Sequence, residues 1–251
     1  MIFCSFGAQA SDVESNLLAN GGFESKKVPS GVQFEGGVVY VEPWVKSSLA
    51  AENGGVGISL SNSSPWLGAP NDGVSAASGC PEGSQFAYLQ VYNDAPKCGI
   101  SQDFEATESG VYRFSAQGRC RYRYNDIRSS GVVVSVYVDD TLLMRRQFGP
   151  RGKHAPKSSF PKWKDALNFQ PFAVEFPVQR GKHTIHVLAE LPPNTASNQR
   201  DRALCLDDVK LEFVKSGRFI QVDNPGFDTY NAASIEYVAN TGYFVTGDAT
   251  T

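Results

Sequence analysis

Between residues 86 and 213 the chain repeats one pattern: short runs of alternating apolar and polar residues, each stopped by turn chemistry. The runs cover 86–92, 99–106, 111–124, 131–140, 141–148, 169–178, 183–191 and 203–213, and they are rich in β-branched and aromatic side chains. Period-two alternation puts successive side chains on opposite faces, as a half-buried strand requires. The stops are Asn93-Asp94-Ala95-Pro96, Glu108-Ser109-Gly110, Asp139-Asp140 and Gln179-Arg180-Gly181. Only 11–19 and 161–167 have the composition for a helical turn, and both are short. Closely spaced strands without intervening helices predict an all-β chain, a jelly-roll β-sandwich rather than βαβ units. Two stretches, 46–85 and 149–168, are rich in Gly, Ser, Pro and Asn and carry little regular pattern. They are expected at the ends of the sandwich or across one face, where binding surfaces are built.

At 251 residues the chain is long enough for one large core. Lys and Arg number 23 against 26 Asp and Glu, a formal charge of −3. Without a basic excess, general nucleic-acid binding is excluded from the expectations. No run of 18 apolar residues occurs, so no membrane span is expected. The first ten residues end in Ala8-Gln9-Ala10, a small-x-small pattern, and 1–10 is taken as the remnant of a secretory signal. The turn Asn20-Gly21-Gly22-Phe23-Glu24 returns in altered form as Asn224-Pro225-Gly226-Phe227-Asp228. This predicts one complete unit over 11–215 and the start of a truncated, poorly packed second repeat over 216–251.

With Cys4 assigned to the signal, Cys80, Cys98, Cys120 and Cys205 remain, an even number in an oxidising compartment. Four cysteines allow three pairings. If 111–122 and 203–213 lie antiparallel with Tyr112 opposite Phe213, a constant index sum places Cys120 opposite Cys205. That predicts a Cys120–Cys205 disulfide, leaving Cys80 to pair with Cys98. No CxxC pair or nearby His supports a zinc site instead.

A family resemblance rests on the order of several short motifs. They begin with Asn20–Glu24 and Pro43-Trp44, and continue with 83–90, Gly99-Ile100-Ser101-Gln102 and 110–115. Arg180-Gly181-Lys182-His183-Thr184-Ile185 and Leu206-Asp207-Asp208-Val209-Lys210-Leu211 close the series. Together, over 16–214, the chain resembles the galactose-binding-like jelly rolls. It is similar to their secreted carbohydrate-binding modules and to related plant cell-wall domains that place cysteines at the positions of Cys120 and Cys205. The resemblance implies that the first and last strands are neighbours, so that the Asn20–Glu24 turn meets Asp207-Asp208. It implies a buried structural Trp44. It also implies a structural Ca²⁺, a hard cation that takes oxygen ligands, held by Glu24 with Asp207 or Asp208.

No catalytic constellation is legible. His154, His183 and His186 are the only histidines, and the last two, three apart in a strand, point to opposite faces. GxSxG, HExxH and P-loop motifs are absent, and no pair of carboxylates is nominated by spacing. Recognition remains. Sugars combine flat apolar faces with rings of hydroxyls, so aromatic platforms beside hydrogen-bonding side chains suit them. Trp66 and Trp163, both in polar loops, are the candidate platforms. Arg119, Arg121 and Arg123 alternate along one strand face, with Tyr124 and Asn125 at its rim, a stripe suited to an acidic or heavily hydroxylated polysaccharide. The sequence therefore predicts a non-catalytic extracellular module that binds poly- or oligosaccharide within a larger secreted or cell-surface protein. The alternative is a structural or adhesive repeat.

Overall fold

The computed structural model describes residues 16–30, 32, 34–50, 54–60, 80–92, 94–121, 131–149, 168–192, 202–220, 235–238 and 242–245; for 34, 218–220, 235–238 and 242–245 the description is of the backbone. The strands are β1 (Phe34–Gly36), β2 (Val45–Lys46), β3 (Gly55–Leu60), β4 (Gln85–Val91), β5 (Lys97–Ala106), β6 (Gly110–Cys120) and β7 (Val132–Val138). They continue with β8 (Thr141–Phe148), β9 (Gln170–Val178), β10 (Gly181–Glu190), β11 (Arg202–Ser216), β12 (Arg218–Ile220), β13 (Ile235–Val238) and β14 (Gly242–Val245). One antiparallel sheet has the order β1-β3-β4-β11-β6-β9 and a second the order β2-β5-β10-β7-β8. A small third sheet, β12-β14-β13, follows from the C-terminal residues.

The two larger sheets face each other as a jelly-roll sandwich, the class the strand pattern predicts. Leu89, Tyr112, Phe114, Leu204 and Leu206 of the six-stranded sheet share one core with Ile100, Val134, Val136, Ile185 and Val187 of the five-stranded sheet. Each such side chain stabilises the fold by about 1.5–3 kcal/mol on full burial, so the sandwich is held mainly by this layer. Among the described residues no helix is long and apolar enough to cross a membrane.

The N-terminal segment clasps the last long strand. Leu17 donates its amide to the Leu211 carbonyl (2.9 Å), and the Val209 amide donates to Gly21 (3.1 Å). Asn16 works as a two-sided bracket, donating Nδ2 to the Val209 carbonyl and accepting the Leu211 amide on Oδ1, each at 2.9 Å. Gln102 ties the same segment to the five-stranded sheet by accepting the Ala19 amide (2.7 Å) and donating to its carbonyl (3.0 Å). Buried Gln85 donates to the Phe23 and Lys26 carbonyls. Trp44 is fully buried against Phe23, its indole nitrogen donating to the Asn20 carbonyl at 3.3 Å. The structure thus brings the Asn20–Glu24 turn onto β11, as the resemblance implies.

Where the turn meets it, β11 carries a bulge. Asp207 pairs with Gln117, yet the next pair is Lys210 with Ser115, so β11 spends one extra residue there. Asp208 occupies the left-handed region at φ 52 within it.

Three short strands of the two larger sheets escaped the sequence reading, as did β12, β13 and β14. β1 lies before the unpatterned stretch 46–85, β2 at its start and β3 inside it. In β3, Gly55, Gly57 and Ser59 occupy one face, which hides the alternation. Gly57 is required there because a Cβ would strike the Tyr88 ring, whose hydroxyl donates to the Glu35 carbonyl at 3.2 Å. Residues 1–10 and 224–228, on which the signal and repeat expectations rest, lie outside the described residues.

A Cβ on Gly21 would overlap the Val209 carbonyl oxygen. Gly21→Ala should therefore break the clasp at the bulge and lower stability by roughly 2 kcal/mol or more, read as a reduced midpoint in urea unfolding.

Candidate functional site

The bulge reassigns the faces of β11 and overturns two expectations. Tyr112 does stand opposite Phe213. Past the extra residue, however, Cys205 pairs with Arg119 and Cys120 with Leu204. Cys120 therefore points into the core, whereas Cys205 lies on the outer face with Phe86, Tyr88 and Ala203. A cross-strand disulfide needs both side chains on one face, and no bond joins the two sulfurs. Cys80 packs against the same outer cluster as Cys205, while Cys98 is in the core, its thiol donating to the Gly55 carbonyl at 3.2 Å. The described cysteines form no disulfide among themselves. Burial pushes the Cys120 thiol up to about 12 and the Cys98 thiol up to about 11, and raises Cys205 as well.

The guanidinium stripe is the second correction. Arg119 is 1% exposed rather than solvated. Its guanidinium lies between the Phe86 and Phe169 rings, 5.3 and 5.0 Å from their centroids, and bonds the Cys205 thiol. Desolvated cation–π contacts of this kind contribute about 2 kcal/mol each, enough to offset part of the burial cost. Arg119 is thus a plug that closes one end of the outer face. Arg121 is half-buried. Arg123, Tyr124, Asn125, Trp66 and Trp163 lie outside the described residues.

The carboxylates nominated for calcium are engaged separately. Glu24 accepts the Ser84 and Gln85 amides at 2.5 and 2.7 Å and pairs with the Lys27 ammonium. Burial raises its pKa, but Lys27 and the two amides win and hold it below the usual value. Asp207, fully buried, accepts the Glu82 amide on Oδ2 (3.0 Å) and the Asp208 amide on Oδ1 (2.8 Å). Asp208 pairs with Lys210 at 2.7 Å. Among the described residues no group of three His, Cys, Asp or Glu side chains is arranged to hold a metal ion. As placed, Glu24 and Asp207 cap the loop before β4 through its backbone amides, and Asp208 is held by Lys210.

Of the described histidines, His183 donates or accepts between Asp139 (2.9 Å) and the Gln179 carbonyl (2.8 Å), bracing two turns. His186 meets the Ser47 hydroxyl at 2.8 Å, and burial lowers its pKa. Neither belongs to a catalytic pair.

A concave feature of the described surface sits on the outer face of the six-stranded sheet, below the Arg119 plug. It is a groove of about 260 Å³ lined by Arg113, Ser115 and Gln117 of β6, Pro171 and Ala173 of β9, and Asp208 at the bulge. Strand alternation puts Arg113, Ser115 and Gln117 on one side, about 7 Å apart. None of the three side chains makes a hydrogen bond or ion pair with another described residue. Opposite them Pro171 and Ala173 offer flat aliphatic surface. The volume, that of about nine waters, matches a sugar ring in scale. Period-two alternation could have found these residues, but the sequence reading followed the arginines further along the same strand.

No family model matches the chain, and no curated protein matches it. Among solved structures it is similar to TmCBM61, a module solved with β-1,4-galactotriose, at 18% identity and a TM-score of 0.42 over 80% of this chain and 99% of that one. The active domain of bacteriophage CBA120 tailspike protein 4 aligns at 11% identity and TM-score 0.42, over 79% of this chain and 21% of that one. The C-terminal CBM6 of the laminarinase LamC from Zobellia galactanivorans aligns at 11% identity and TM-score 0.31, over 54% and 85%.

Two measurements check this geometry. Peptide mapping of the unreduced protein should yield no peptide linking Cys120 to Cys205. Burial, reinforced by the charges of Glu82 and Asp208, pushes Asp207 from 3.8 up to about 7 against the pull of its two amide bonds. The folded state then holds an extra proton between those values. This contribution to stability is complete below pH 3.8 and lost as pH rises through about 7. Chemical unfolding across that window should show stability falling with pH, with the slope reduced in Asp207→Asn.

Proposed function

We propose that this chain is a non-catalytic glycan-binding module of a larger secreted or cell-surface protein, and that the groove on the outer face of β6 and β9 holds a sugar. One observation carries the reading: Arg113, Ser115 and Gln117 line a concavity without being committed to other described residues, beside an aliphatic wall. A pyranose ring asks for this combination. Its C–H face packs on Pro171 and Ala173, and its hydroxyls exchange water for the hydroxyl, amide and guanidinium on the other side. The rigid sheet positions these groups in advance, so little ordering entropy opposes binding. Trp66 and Trp163 remain proposed as stacking surfaces on their sequence context.

Titration calorimetry against neutral oligosaccharides tests the proposal. Gln117→Ala should weaken binding by about tenfold, the worth of one well-made hydrogen bond, with an unchanged thermal midpoint. A folded protein that gives no heat with any glycan of a broad panel would favour the structural or adhesive role.

A further inference from the structure

Resting on that glycan reading, we infer that the groove selects neutral sugars and rejects those bearing a carboxylate. The lone arginine in the wall at first invites the opposite conclusion, because a guanidinium fork matches a carboxylate. Its neighbours decide the matter. In the antiparallel register Arg113 stands directly between Glu175 of β9 and Glu212 of β11. Directly opposed residues share a face, so both glutamates flank the guanidinium on the groove side of the sheet. The next cation along, Lys210, is already paired with Asp208 at 2.7 Å. Within the row Glu212–Arg113–Glu175 one cation thus faces two carboxylates, and an acidic ligand would arrive as a third.

An acid sugar must therefore displace a glutamate from the vicinity of Arg113 or sit beside uncompensated like charge. A hydroxyl meets neither cost. It can donate to Glu175 or Glu212 and accept from Arg113, so the same charges that repel a uronate serve a neutral ring. Ser115 and Gln117 add donors and acceptors of no net charge. The row Glu212–Arg113–Glu175 acts as a filter on charge, and the row beyond it supplies hydrogen bonds.

Galactose and galacturonate are the matched probes, since they differ only in a hydroxymethyl group against a carboxylate. NMR titration of the full chain at neutral pH should show galactose shifting the amides of Ser115, Gln117 and Ala173. Galacturonate should bind at least tenfold more weakly, and added salt should narrow the gap by screening the repulsion. The double variant Glu175→Gln/Glu212→Gln should bring galacturonate within about threefold of galactose. Galacturonate binding as tightly as galactose, with Gln117→Ala weakening both, would overturn the charge filter while leaving the glycan site standing. If neither sugar moves the groove amides, nor any neutral oligosaccharide, the site itself fails and the filter with it.

Discussion

The extra residue in β11, held by the N-terminal clasp, is the constraint on which the outer face depends. A strand has only two faces, so one inserted residue exchanges them for everything beyond it. At the bulge the Val209 amide and carbonyl turn to Gly21 and Asn16 instead of to β6. Asp208 lines the groove there, and Lys210 pairs with it. On the far side of the bulge Cys205 comes to rest beside Arg119. Without the clasp, the two backbone groups would be left to a partner strand that no longer reaches them.

The core and the outer face obey different rules along the same strands. Inward positions of β6 and β11 are apolar, and the opposing sheet fixes them by packing. Outward positions divide into a sealed end and an open end. At the sealed end Phe86 and Phe169 cover an arginine. At the open end small residues, Ser115 and Ala173, stand between longer ones and leave the concavity. Among the described residues, side-chain size shapes the groove.

Much of the architecture was legible because period-two alternation is enforced by burial. β4 through β11 fall within four residues of the expected runs, and Trp44 is buried as the motif implies. The pairing of Tyr112 with Phe213 was also legible. What escaped was parity. A bulge leaves no mark in composition, since Asp208-Val209 reads as ordinary strand, and so Cys120 and Cys205 were set facing each other. Arg119 was read as part of an accessible ligand-binding stripe because a strand's own sequence does not show what covers it; Phe86 comes from β4 and Phe169 from the residue before β9. The groove was missed for the same reason, its two walls being 54 or more residues apart in the chain.

The plug and the bulge are neighbours on one face, Arg119 standing two residues beyond the Gln117 that Asp207 faces, and they respond differently to acidity. A guanidinium keeps its charge throughout the accessible range, so the Phe86–Arg119–Phe169 stack is indifferent to the proton. Asp207, registered opposite Gln117, exchanges its proton near neutrality. A single surface therefore has one fixed shore and one tidal shore, and a modest drift in the surrounding medium alters only the latter.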